Sequence, residues 1–157
     1  MARLQVDPSG GAGGGAPNAT DAAGPTLRLD LSHWEALGAL HGSLSAPLAQ
    51  VASCTAVQDP WARAGPVTGA GSDASGGGGR VLRGWRAPGT GLPGVIALGT
   101  LRHSGGRDFA AVYRHRPAVV VDFSAGPWGR WVVTAAGEGE AERLAAEVTA
   151  AAAAARG

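Results

Sequence analysis

RDFAAVYRHRPAVVVDFSAGPWGRWVVTAA, residues 107–136, is the stretch that decides the fold. It holds three apolar runs, RDFAAVYR (107–114), AVVVDFS (118–124) and RWVVTAA (130–136), each of strand length and rich in β-branched or aromatic residues. HRP and AGPWG separate them and carry the Pro or Gly that a chain reversal needs. Phe109, Ala111 and Tyr113 fall on one face of their strand, and Val119, Val121 and Phe123 on one face of the next. Links this short predict an antiparallel meander. Upstream, RVLRGW (80–85) and GVIALGTLR (94–102) read as further strands, the second joined to the meander by the HSGG turn.

Toward the N-terminus, TLRLDL (26–31) sets Leu27, Leu29 and Leu31 against Arg28 and Asp30, the period of a half-buried strand. Ser32 and Glu35 follow at capping-box spacing, so a helix should start there, carry Trp34, Leu37 and Leu40 inward, and stop at Gly42. APLAQVASCTAVQ (46–58) reads as one more strand. The last segment, EGEAERLAAEVTAAAAAAR (138–156), places Ala141, Leu144, Ala145 and Val148 at i, i+3, i+4, i+7. It has acids in its first turn and Arg156 in its last, as the helix dipole favours. Many short strands closed by one terminal amphipathic helix predict an α+β domain: an antiparallel, partly open β-barrel or bent sheet with a short early helix and a C-terminal capping helix.

Two stretches fall outside this pattern. PSGGAGGGAPNATDAAGP (8–25) and GPVTGAGSDASGGGG (65–79) have almost nothing apolar to bury, so ordering them would lose backbone entropy without return. Residues 1–25 therefore read as a disordered, dispensable Gly/Ala-rich tail, and residues 26–156 as a single domain with a flexible loop at about 65–79.

A formal net charge of +1 marks no basic or acidic partner, and no helix-turn-helix or RNA-binding signature suggests nucleic acid. Every one of the 13 cationic residues is arginine, which with the abundance of Ala, Gly and Pro points to a GC-rich genome. The single cysteine, Cys54, excludes an internal disulfide and a cysteine-based zinc site. The first residues lack the apolar core of a secretory signal, and no run has the length of a membrane span, so a cytoplasmic protein is the expectation.

RAPGTGLPGVIALGT, RDFAAVY and PAVVVDF, together with the order of strands and terminal helix, resemble small pleckstrin-homology-like proteins of high-GC bacteria. The resemblance spans about residues 27–135 and departs from the family pattern at the early helix (33–40) and the glycine-rich loop (65–79). It implies a bent antiparallel barrel plugged by its terminal helix, serving as a binding scaffold with no particular ligand.

The candidates for chemistry are few. GTGLPG (89–94) matches G-x-G-x-x-G, yet β-branched residues and a turn follow it where a dinucleotide fingerprint needs a helix, and no lysine is present for a kinase-type loop. It reads as a tight turn. Cys54 has no base patterned beside it, and His33, His41, His103 and His115 are too scattered for a metal. Asp108 and Asp122, on adjacent strands, do not face each other as a glycosidase pair would. Trp34 and Trp131 read as core, whereas Trp61, Trp85 and Trp128 sit by turns. No catalytic, cofactor-binding or metal-binding residue is assigned, and no cofactor.

Arginine is the exception. Arg102, Arg107, Arg114 and Arg116 flank two turns and would form an anion-attracting or partner-binding patch if those turns share one rim. The expected function is a non-enzymatic binding module for a protein partner. The alternatives are an anionic lipid headgroup held by the arginine turns, or a small enzyme or ligand-binding barrel that no motif reveals. An enclosed site with paired titratable groups would favour the enzyme.

Overall fold

Leu27 and Leu29 are fully buried, as their alternation predicts, in a computed structural model that describes residues 2–8, 24–40, 42–61, 81–82, 85–86, 91–92 and 95–157. They belong to β2 (Thr26–Asp30), the middle strand of a three-stranded antiparallel sheet. Its neighbours are β1 (Arg3–Asp7) and β3 (Leu44–Pro47). β1 lies within the segment read as a disordered tail, which is a correction for residues 3–7. Leu4 and Val6 alternate with polar residues, Leu4 is buried, and every residue of the strand pairs with β2. Five residues were too short a pattern to stand out beside the glycines that follow. Residues 9–23, and with them most of the expected tail, lie outside the described residues, as does the loop at 65–79.

The stretch read as one strand over 46–58 is two. β3 ends at Pro47, a 3₁₀ turn spans Leu48–Gln50, and β4 (Val51–Val57) then joins a second sheet. Leu48 is fully buried at this corner, and its N–H donates to the Pro25 carbonyl. The second sheet also contains β5 (Trp85–Arg86), β6 (Gly91–Leu92), β7 (Ile96–His103), β8 (Gly106–Tyr113), β9 (Ala118–Phe123) and β10 (Arg130–Thr134). Its order is β4-β9-β10-β8-β7-β5, with β6 also paired to β7. The described strands make two sheets and no closed barrel.

The meander is likewise corrected. β9 and β10 form the expected antiparallel hairpin, but β10 inserts between β9 and β8 and runs parallel to β8. Residues 114–117 therefore span two inter-strand gaps, roughly 10 Å, rather than closing a tight hairpin. Both faces of these strands are covered. Phe109, Val119, Val121, Trp131 and Val133 point to the main core, shared with the small sheet and the terminal helix. Ala110, Val112, Val120 and Val132 form a second cluster with Val81 on the other face, against which Val57, Trp61 and Leu82 pack. Double burial explains why AVVV and WVV read as continuous apolar runs.

The terminal helix α2 (Glu138–Arg156) packs along β4, the 3₁₀ turn and β9. Ala141, Ala145, Val148 and Ala152 are buried, with Leu144 partly so. The Thr149 hydroxyl donates to the Cys54 carbonyl and Arg156 to that of Val51, so α2 covers carbonyls of the edge strand β4. No helix among the described residues is long and apolar enough to cross a membrane.

Candidate functional site

The early helix α1 (His33–Ala39) forms where the capping box places it, with Ser32 as N-cap and Glu35 answering at N3. Its orientation is the largest departure from expectation. Trp34, Leu37 and Leu40 are 83%, 66% and 67% exposed, whereas Glu35 and Ala39 are buried. At about 100° per residue, the buried pair lies roughly 180° from the apolar stripe. The helix also stops earlier than Gly42: Leu40 caps it in the left-handed region at φ 53°.

Glu35 explains the orientation. Its Oε1 accepts from the Ala2 amide at 2.6 Å and the Tyr113 hydroxyl at 2.5 Å. Its Oε2 accepts from the Ser32 amide at 2.9 Å and the Ser32 hydroxyl at 2.6 Å. Burial pushes the carboxyl up, but the bonds from the Ser32 and Tyr113 hydroxyls and the Ser32 and Ala2 amides outweigh it and hold the group at about 2. Tyr113 shifts the opposite way: burial, the bond to Glu35 and the carboxylate charge all raise it above its usual value. With the carboxylate fixed by four donors from three segments, Trp34, Leu37 and the capping residue Leu40 are left on the opposite, exposed side. Nothing in the periodicity could show this, because Tyr113 lies 78 residues away.

Beside α1 opens a groove of about 480 Å³. Ser32, Trp34 and Glu35 line one side, Val95, Ile96 and Tyr113 the other, and Arg114 and Arg116 stand with them. Val95 is itself 47% exposed. The 114–117 link that brings the arginines here is tied at several points. The Arg114 N–H donates to the Val95 carbonyl at 2.7 Å, while its own carbonyl accepts from Trp61 Nε1 at 2.8 Å. His115 pairs with Asp59 at 2.6 Å, and Arg116 donates to the Ala136 carbonyl at 2.9 Å. Arg114 adopts φ 52°, a left-handed backbone uncommon for a non-glycine residue. Its side chain is exposed and makes no ion pair among the described residues.

The four candidate arginines are not together. Arg114 and Arg116 reach the groove, but Arg102 and Arg107 face each other across the far end of the β7–β8 hairpin. Arg107, near the start of β8, and Arg114, just past its end, are seven positions apart along the extended chain, about 24 Å. Arg107 is occupied there, donating to the Pro127 carbonyl at 2.9 Å and lying 4.8 Å from the Trp128 ring centroid. Trp128, placed by sequence at a turn, is buried edge-on against Phe109.

The remaining candidates take structural positions. His103 accepts from the Gly105 amide through Nδ1, which leaves Nε2–H for buried Asp108 at 3.2 Å; both ring nitrogens brace the hairpin. Asp108 and Asp122 are not on adjacent strands, since Arg130 of β10 registers with both and pairs with Asp122 at 2.6 Å. Burial pushes the Cys54 thiol up to about 12, with the Asp122 carboxylate adding to it, away from nucleophilic use. Among the described residues no cluster of His, Cys, Asp or Glu could hold a metal ion. Of GTGLPG only Gly91–Leu92 is described, as strand β6 paired to β7, so a strand stands where a fingerprint would need the helix. His41 and the Trp85 side chain lie outside the described residues.

No known protein family matches the chain, and no curated protein or solved structure is similar to it.

Proposed function

We propose that this protein is a non-enzymatic binding module that takes a partner protein on the surface formed by α1 and the groove beside it. One observation carries this: Trp34, Leu37 and Leu40 face solvent as a single stripe, and Trp34 borders a groove lined by Val95, Ile96 and Tyr113. Large apolar side chains exposed together mark contact surfaces, and tryptophan is the residue most enriched at binding hot spots. A paired titratable site is present in the groove, but its chemistry does not suit proton transfer. Glu35 is held ionised and Tyr113 protonated, each moved away from neutral pH rather than toward it.

The pleckstrin-homology-like resemblance remains part of the proposal. It draws support from two sheets closed by a C-terminal helix, and β10 parallel to β8 is its main departure. Lipid binding through four arginines on one rim draws no such support, since Arg102 and Arg107 lie at the other end of the hairpin.

The test is photo-crosslinking in the producing organism, with a photoreactive phenylalanine at Leu37 or, as control, at exposed Glu142 of α2. A discrete protein adduct is expected at Leu37 alone, and it should vanish on Trp34→Asp. No adduct at Leu37, or the same adducts at both positions, would remove this surface as the binding site.

A further inference from the structure

We infer that the groove takes an acidic, amphipathic peptide segment of another protein, its bulky apolar side chain seated against Trp34, Ile96 and Tyr113 and its carboxylates facing Arg114 and Arg116. This rests on the binding surface proposed above and names its occupant. Among the described residues the charge at the groove is one-sided. Arg114 and Arg116 are its cations among the described residues, and the one acid among them that lines it, Glu35, is buried and already accepts four hydrogen bonds. The rest of α1 carries no acid. An occupant that is apolar and anionic matches both parts, and complementary charge at a rim sets partner choice and encounter rate.

Three other occupants fit less well. Residues 9–23 of this chain contain no apolar side chain larger than proline, and residues 62–80 contain only Val67, so neither offers a bulky anchor. Two-fold pairing of a second copy through the same surface would bring Arg114 and Arg116 of both copies into one interface with no exposed acid among the described lining residues to pair them. A membrane surface presents no side chain to fill a concave groove, and two arginines would give only about fivefold each in affinity for anionic lipid.

The experiment measures fluorescence polarisation of three matched sets of short synthetic peptides. They share Phe and Leu anchors and are flanked by Asp/Glu, by Ser/Asn or by Arg. Full-length protein is used at low salt, with Arg114→Asp, Arg114→Asn and Trp34→Ser variants beside it. Asp and Asn tolerate the left-handed backbone at position 114, and circular dichroism checks that each variant is folded. The acidic set should bind about tenfold more tightly than the neutral set. Arg114→Asn should shrink that preference, Arg114→Asp should shift it toward the basic set, and Trp34→Ser should abolish binding of all three. Equal binding of the three sets, still lost on Trp34→Ser, overturns the acidic occupant and leaves the binding surface standing. Absence of peptide binding with Trp34-dependent sedimentation on phosphatidylserine vesicles overturns both in favour of a membrane. A concentration-dependent dimer that Trp34→Ser converts to monomer overturns the acidic occupant in favour of a second copy.

Discussion

Glu35 is buried and accepts hydrogen bonds from Ala2, Ser32 and Tyr113. Its folded value is depressed from 4.5 to about 2, so its contribution is complete above pH 4.5 and lost as pH falls toward 2. The shift corresponds to stabilisation on the order of 3 kcal/mol. Glu35→Gln keeps the shape but places an NH₂ where donors already point, so urea unfolding at pH 7 should show a loss of about 2–4 kcal/mol. The gap between parent and variant should narrow from pH 4.5 to pH 2. A gap that stayed constant across that range would show that the carboxylate charge is not what matters. Tyr113 adds the alkaline counterpart: its raised value means stability declines as pH rises past 10, and Tyr113→Phe should flatten that limb. Cys54, held up at about 12, should react with iodoacetamide far more slowly in the folded protein at pH 8 than in denaturant. Equal rates would mean the thiol is not protected.

At the scale of elements, the two helices are opposites. α2 buries its small-residue stripe, with Val148 fully enclosed against the main core. Val148→Asp places a carboxylate there, a change that should destabilise by several kcal/mol against a total of roughly 5–15. Leu144, on the same stripe in sequence, is only partly buried and should tolerate substitution better. α1 shows its apolar stripe to solvent, so Trp34→Ser and Leu37→Ser should each change the unfolding free energy by less than about 0.5 kcal/mol. A loss comparable to that of Val148→Asp would place α1 in the core after all.

Across the whole molecule, the small sheet depends on β1. Removing residues 1–8 takes away Leu4 from the core and the Ala2 donor from Glu35, so the shortened chain should lose several degrees or more of Tm. An unchanged Tm would mean β1 contributes nothing to the fold. The connection that follows behaves differently. Asp7 pairs directly with Thr26, so the ends of the intervening segment are already adjacent. Replacing it with a four-residue hairpin turn should stabilise the protein by about 1 kcal/mol through lower loop-closure entropy, read as a higher urea midpoint at unchanged m.

Local chemistry was legible from sequence alone. Leu27 and Leu29 alternate, Ser32 and Glu35 cap a helix, the apolar runs after residue 95 are strands, and α2 carries its stripe inward. Each of these patterns is complete within a few residues. The candidate site was only half visible: Arg114 and Arg116 stood out as cations at a turn, but their separation from Arg102 and Arg107 depends on which end of the β7–β8 hairpin each pair occupies. Tertiary structure alone decided that β10 lies between β8 and β9, that β3 and β4 belong to different sheets, and that α1 turns its tryptophan outward. The physical reason is the same each time. These outcomes depend on partners far along the chain, as α1 does on the Tyr113 hydroxyl and the Ala2 amide that bind Glu35, and no period in the local sequence records them.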